Sequence, residues 1–220
     1  VLLDLGVNSH QLDDPSKGFT YRTDAPLDLR FDREKGTTAA ELLQRLDEAK
    51  LADLLWEYGE ERSSRRLARA IRQAQARQAI RTTAQLRAVV EAARPTGASL
   101  MPLLSRVFQA LRIAVNDELG ALAEALELIP QSLAPGGRVV VVSYHSLEDR
   151  LVKRWIDRES RDCICPRETP ECRCGHHRSL RSLTRKAVAV GGAEAARNPR
   201  ARSARLRCAE KIDPPGGKRS

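Results

Sequence analysis

Hydrophobic and polar positions along the chain switch between two periodicities, and the switches mark its organisation. The opening run from Val1 to Val7, interrupted by Asp4 and Gly6, reads as a buried parallel strand. Such a strand needs neighbours on both sides, so its partners are expected upstream. The chain also opens without a Met, its only Met being Met101, and is therefore expected to be an N-terminally truncated fragment. Residues 8–36 are polar and rich in turn residues, including Asp13-Asp14-Pro15, Lys17-Gly18, Asp24-Ala25-Pro26 and Lys35-Gly36. A loop of that length inside a compact domain tends to be functional. Helical spacing then takes over. Thr38-Ala39-Ala40-Glu41 spells a capping box, and Asp47 can cap a second helix with Leu51, Leu54, Leu55 and Tyr58 on one face and Gly59 as its stop. Arg65 to Gln78 predicts a third helix with Leu67, Ala70, Ile71 and Ala74 inside. Thr82 to Gln85 opens a fourth, which buries Leu86, Val89 and Val90 and stops at Pro95.

Beyond this helical stretch, Val107, Leu111, Val115, Leu119, Leu122 and Leu126 predict one long amphipathic helix from Leu103 to Leu128. Ala134-Pro135-Gly136-Gly137 is a turn, and Val139–Val142 a fully buried strand. Ser146 is expected to cap the next helix, which runs to about Trp155, and a last strand spans about Ala204 to Glu210. The expected domains are 1–36, a catalytic-domain strand and loop; 37–101, an inserted all-helical domain; and 102–220, the rest of the α/β domain. The order strand, helical insert, helix, strand, helix, strand is that of the C-terminal portion of a doubly wound, Rossmann-like α/β sheet.

Charge sharpens this picture. The net charge of +9 is concentrated late: residues 1–150 carry 20 Lys/Arg against 21 Asp/Glu, and residues 151–220 carry 18 against 8. A basic excess confined to one end suits an anionic partner, most economically nucleic-acid phosphate, although a solvated basic surface has the same composition. No run approaches the roughly 18 apolar residues that span a bilayer, and no signal peptide is legible. The five Cys are all late and four are clustered, which argues against a secreted disulfide scaffold and for the reducing cytoplasm.

In open α/β sheets, ligands bind beyond the carboxyl ends of the strands. Two such ends are readable: Asp4 through Gln11, which combines a carboxylate, a glycine and an amide, and Ser143-Tyr144-His145-Ser146. His145 beside a strand end is either a contact to substrate or cofactor or a locally satisfied ring. Cys163, Cys165, Cys172 and Cys174 invite a zinc reading. Their C-x-C spacing is tighter than the usual C-x₂₋₄-C, and a reduced Cys-rich loop is the alternative, so no metal ligand is assigned.

Several strings carry a resemblance. DLGVNSHQLDDPSKGFTYRTDAPLDLRFD (4–32), YGEER (58–62), FQALRIAVNDEL (108–119), LAPGGRVVVVSYHSLEDRLVK (133–153) and NPRARSARLRCAEK (198–211) occur in order and cover essentially the whole chain. Together they resemble the bacterial 16S ribosomal RNA (cytosine-N4)-methyltransferase family. The resemblance implies a Rossmann-like domain that binds S-adenosyl-L-methionine, with Asp4 and Gln11 on the cofactor, and a helical insert that helps recognise RNA. It implies 16S rRNA of the small ribosomal subunit as partner. Asn8-Ser9-His10 stands where the family usually has Ser-Ser-Pro. His145 is a candidate on the substrate side, and Arg200 and Arg202 are candidates for RNA phosphate; no catalytic residue is assigned. The competing readings are a non-catalytic nucleic-acid-binding module and another doubly wound, nucleotide-dependent enzyme.

Overall fold

The computed structural model describes residues 1–213 apart from 9, 12, 13, 15, 16, 167 and 170. Its packing divides the chain into two units, Val1–Gly6 with Leu119–Ser220, and Val7–Glu118.

The first unit is mixed α/β. Its sheet comprises β1 (Leu2–Asp4), β2 (Arg138–Ser143), β3 (Leu180–Ser182), β4 (Val188–Ala189) and β5 (Arg205–Lys211). The order is β1-β2-β5-β3, with β4 also on β5; β1 and β2 are parallel, and all pairings of β5 are antiparallel. In β2, Val139, Val141 and Ser143 are buried while Val140 and Val142 are only half-buried, so the strand alternates rather than being buried on both faces. In β1, expected to be buried, Leu2 is 69% exposed, because β1 lies at an edge of the described sheet. Residues of α6 (Glu118–Ser132) and α7 (Ser146–Glu159) complete this core: Leu122, Leu126 and Ile129 from one, Val152, Trp155 and Ile156 from the other. Leading into β2, Gly136 takes φ +77°, and Gly136 and Gly137 exchange backbone bonds with Lys211 at 2.9 and 2.8 Å. Arg207 of β5 grips Asp149 of α7 through two bonds of 2.7 and 2.9 Å.

The second unit holds α1 (Ala39–Arg45), α2 (Glu48–Glu57), α3 (Ser64–Arg77), α4 (Thr83–Ala92) and α5 (Leu100–Asn116). The capping boxes at Thr38 and Thr82 and the cap at Asp47 all form. Gly59 ends α2 by close approach: a Cβ there would stand 2.7 Å from the Leu55 carbonyl oxygen and 2.9 Å from that of Arg106.

Periodicity and packing divide the chain differently. Beside the expected limits of 1–36, 37–101 and 102–220, packing places breaks at 6/7 and 118/119, for two physical reasons. The 8–36 loop buries Phe19, Leu27 and Leu29 among the helices, and it bonds to the start of α4 through Leu27 N–H to Arg81 O and Thr83 N–H to Ala25 O. The single helix expected over Leu103–Leu128 is broken, because Asp117 turns left-handed (φ +47°) and separates α5 from α6. Asn116 in the last turn of α5 donates to Leu29 O at 2.7 Å and accepts from Phe31 N–H at 2.8 Å. It thereby fixes Leu29 in its unusual left-handed conformation (φ +65°). β3, β4 and the short helix α8 (Gly192–Arg197) have no counterpart in the expected order.

Candidate active site at the carboxyl edge of the sheet

Parallel pairing of β1 with β2 brings their carboxyl ends side by side, Asp4 opposite Val142. Two residues beyond Val142, just past the end of β2, Tyr144 supplies the key contact: it donates its hydroxyl to Asp4 Oδ1 at 2.9 Å. Burial and this bond to a carboxylate push the Tyr144 hydroxyl above its ordinary range, so it remains a protonated donor. The Asp4 residue itself is exposed. Gly6 follows with φ +82°, a conformation that a side chain would strain, and any Cβ would point towards Tyr144 and Glu148.

Tyr144 is itself held. Glu148, 3% exposed, accepts from the Tyr144 and His145 amides at 2.8 and 3.2 Å, while His145 Nδ1 accepts from Glu148 N–H at 3.4 Å. The helix cap is thus His145, not Ser146 as expected, because the imidazole closes a capping box with Glu148 that leaves the serine one position inside the helix. The His145 side chain is 8% exposed, and Nε2 sits 3.1 Å from Glu148 Oε1 without the alignment of a hydrogen bond. Burial alone would raise the Glu148 carboxyl; the His145 ring and the two amides outweigh it and hold the group low. His145 therefore shapes the turn that presents Tyr144.

Gln11 belongs to the other unit, as does Asn8. The two exchange bonds: Gln11 Oε1 accepts from Asn8 N–H at 3.1 Å, and Asn8 Oδ1 from Gln11 N–H at 2.8 Å. The oxygen of the Gln11 amide is thus engaged, and its NH₂ is the half that can donate to a ligand. Arg200 and Arg202 are exposed on a 3₁₀ turn, Pro199–Ser203, anchored by buried Ala201. Two features escaped sequence reasoning. Tyr144 was legible only as a phenol directly after a strand end. The other is a cleft of about 670 Å³ in the helical unit, lined by Trp56, Arg62, Arg65, Arg66, Asp53 and Pro95 among others. Trp56 is 57% exposed there. The lining comes from two helices and two loops, which no local spacing announces.

Comparison with known proteins places the chain in a family. The model of the MraW methylase family matches residues 1–212. The chain is 48% identical over 214 residues to the ribosomal RNA small subunit methyltransferase H of Heliobacterium modesticaldum, covering 96% of this chain and 68% of that protein. Against the protein of the same name from Geobacter sulfurreducens it is 51% identical over 213 residues, covering 96% and 68%. For that of Dehalococcoides mccartyi the values are 47% over 216 residues, 98% and 61%. The chain thus spans roughly two thirds of the length of these curated relatives, and the family match runs through both units. With the family's model matched over residues 1–212 and relatives about half identical, the chain belongs to the MraW methylase family.

Proposed function

We propose that this protein transfers the methyl group of S-adenosyl-L-methionine to the exocyclic N4 of a cytidine in 16S rRNA of the small ribosomal subunit. The observation that carries this reading is the Asp4–Tyr144 contact at the carboxyl edge of β1 and β2, where α/β sheets bind ligands. We read the sheet as the C-terminal portion of a Rossmann-like methyltransferase domain, and the helical unit as an insertion into it.

The site fits the cofactor chemically. An exposed carboxylate whose Oδ1 is oriented by a tyrosine keeps Oδ2 for the hydroxyl or amine hydrogens of a nucleoside-like ligand. Gly6 keeps the approach free of a side chain. Bound cofactor contributes an electrophilic methyl on a sulfonium. The remaining requirement on the protein is positioning, since a cytosine amine is a weak nucleophile whose lone pair is delocalised into the ring. No covalent nucleophile is needed for transfer to an exocyclic nitrogen, and no cysteine lies at the carboxyl end of β1 or β2.

RNA would be held by exposed basic groups. Arg200 and Arg202 suit phosphate, and the cleft with Trp56 among Arg62, Arg65 and Arg66 suits an unstacked base beside phosphates. No helix among the described residues is long and apolar enough to cross a membrane, and the proposed place of action is the cytoplasm.

The test uses the intact protein, small ribosomal subunits and radiolabelled cofactor, with mass spectrometry of digested rRNA to locate N4-methylcytidine. Asp4→Ala should weaken cofactor affinity about ten- to a hundredfold, as expected for a lost hydrogen bond to a charged group. RNA binding without any methyl transfer by the wild type would favour a pure binding module. Unchanged affinity in Asp4→Ala would remove Asp4 from the cofactor site.

A further inference from the structure

The loop between α7 and β3 contains four of the chain's five cysteines, and folding gathers them. One Sγ from each of Cys163, Cys165, Cys172 and Cys174 lies within 4.8 Å of all the others. Cys172 and Cys174 have their sulfurs 3.6 Å apart, and Cys174 and Cys163 3.9 Å. A disulfide would hold its sulfurs at about 2.05 Å, so these are separate thiols. Thiols are weak donors and weak acceptors, and three of the four residues are exposed, so neither hydrogen bonding nor burial explains their convergence.

Metal coordination does explain it. With bonds of about 2.3 Å to zinc, the corners of a tetrahedron stand about 3.8 Å apart, between the two separations observed. An iron–sulfur cluster interposes several metal ions and sulfides and needs a wider set of thiolates. We propose that this loop binds one zinc ion through the thiolates of Cys163, Cys165, Cys172 and Cys174.

The C-x-C spacing, which weakened this reading in the sequence, is consistent with it in three dimensions. The folded loop brings one sulfur from each member of both pairs to within 4.8 Å of the others, whatever their separation in sequence. The Ile164 amide donates to Cys174 Sγ at 3.5 Å, an outer partner of the kind that orients a metal ligand. Gly175 takes φ +59° immediately after Cys174.

Four protein ligands complete a tetrahedron and leave no position for water or substrate, so the ion is structural. Among the described residues of the loop, Ile164 is 44% exposed. Its far end is tied to the last turn of α7: Ser179 N–H donates to Glu159 O at 2.9 Å, and His176 Nε2 lies 3.0 Å from Arg158 O. Zinc would close the span between these ties and α7, fixing the route into β3.

The experiment is elemental analysis of the intact protein purified under reducing, chelator-free conditions, compared with Cys163→Ser/Cys172→Ser and with Cys208→Ser. Cys208 lies in β5, outside the cluster, and serves as control. About one zinc per chain is expected in the wild type and in Cys208→Ser, and close to none in the double variant. A second arm needs no variant: zinc is released with a mercurial, thiols are restored, and cobalt(II) is added. Intense sulfur-to-cobalt charge-transfer absorption with tetrahedral ligand-field bands is expected, together with slower amide exchange over 160–179 than in the metal-free protein. A wild type that carries no metal and shows no such bands would overturn the proposal. So would zinc retained at full stoichiometry in a folded double variant, or a cobalt spectrum of octahedral oxygen and nitrogen ligation.

Discussion

Asn116→Ala tests whether one side chain sets the shape of the loop carrying Gln11. Asn116 makes three bonds: from Nδ2 to Leu29 O at 2.7 Å and Arg112 O at 2.9 Å, and from Phe31 N–H to Oδ1 at 2.8 Å. The two bonds to the loop matter most, because the Arg112 carbonyl already belongs to the body of α5. Each net hydrogen bond is worth about 0.5–1.5 kcal/mol, rising towards about 3 where a buried partner stays unpaired. Leu29 adds a liability, since a left-handed leucine costs about 1–2 kcal/mol and needs support. Without Asn116, loosening the loop relieves that strain, but it surrenders a side chain that is 1% exposed. The expected loss is about 2–4 kcal/mol of local stability, or roughly thirty- to several hundredfold faster exchange. The reporters should keep their own bonds in the variant: the amides of Leu27 on Arg81 O, Ala39 on Asp28 O and Ala40 on Leu27 O. Hydrogen exchange of these amides in the intact protein is the assay, with the cap of α2 at Asp47 as internal reference. Asn116→Asp should be at least as damaging at neutral pH, because its carboxylate has no hydrogen to offer the Leu29 carbonyl. Exchange within threefold of wild type in both variants would refute the reasoning and move the fixing of Leu29 elsewhere.

Three further outcomes are expected. Tyr144→Phe keeps the ring and removes the donor to Asp4, so cofactor affinity should fall by less than in Asp4→Ala; equal losses would make the tyrosine, not the carboxylate, the primary contact. Arg200→Ala/Arg202→Ala should weaken rRNA binding and reduce the steepness of its salt dependence while leaving cofactor affinity unchanged; an unchanged slope would assign these arginines to the fold alone. The lowered Glu148 carboxyl contributes stability that is fully present above the ordinary value of 4.5 and is lost as pH falls through its lower folded value. Glu148→Gln should therefore reduce the difference in urea midpoint of the protein between pH 7 and pH 4, and an undiminished difference would place the acid sensitivity at other carboxylates.

Local chemistry was legible in the sequence wherever a signal and its partner are neighbours. The capping boxes at Thr38 and Thr82 need only a residue three positions on, and both formed. The strand at Val139–Val142 and the turn before it were equally plain. Reading failed where a partner lies far along the chain. Leucine spacing continues through Asp117 as though the helix did, and only the loop's claim on Asn116, from residues 29 and 31, explains why α5 stops there. Leu27 and Leu29 sit in a polar, turn-rich stretch, so their burial in the helical core was invisible to periodicity. β3 and β4 are too short to announce themselves, and they exist because β5 offers them a pairing edge.

The same distinction bears on the site. Asp4 could be picked out because a carboxylate after an apolar run is locally conspicuous. Tyr144 could not, because its significance arises only when parallel pairing sets residue 4 beside residue 142 and the chain then turns back. That turn is built by Glu148, which gathers two consecutive amides onto one carboxylate and takes the His145 ring against its other face. His145, which in the sequence could be a ligand contact or a locally satisfied ring, closes the helix cap, and Tyr144 touches the Asp4 carboxylate at the carboxyl edge of the sheet. A His145 substitution should then lower cofactor affinity only as far as it disturbs Tyr144. His145→Asn, which can keep the cap to Glu148 N–H, should restore much of what His145→Ala loses. A direct ligand contact by the imidazole would show no such rescue, and calorimetry on the two variants decides between them.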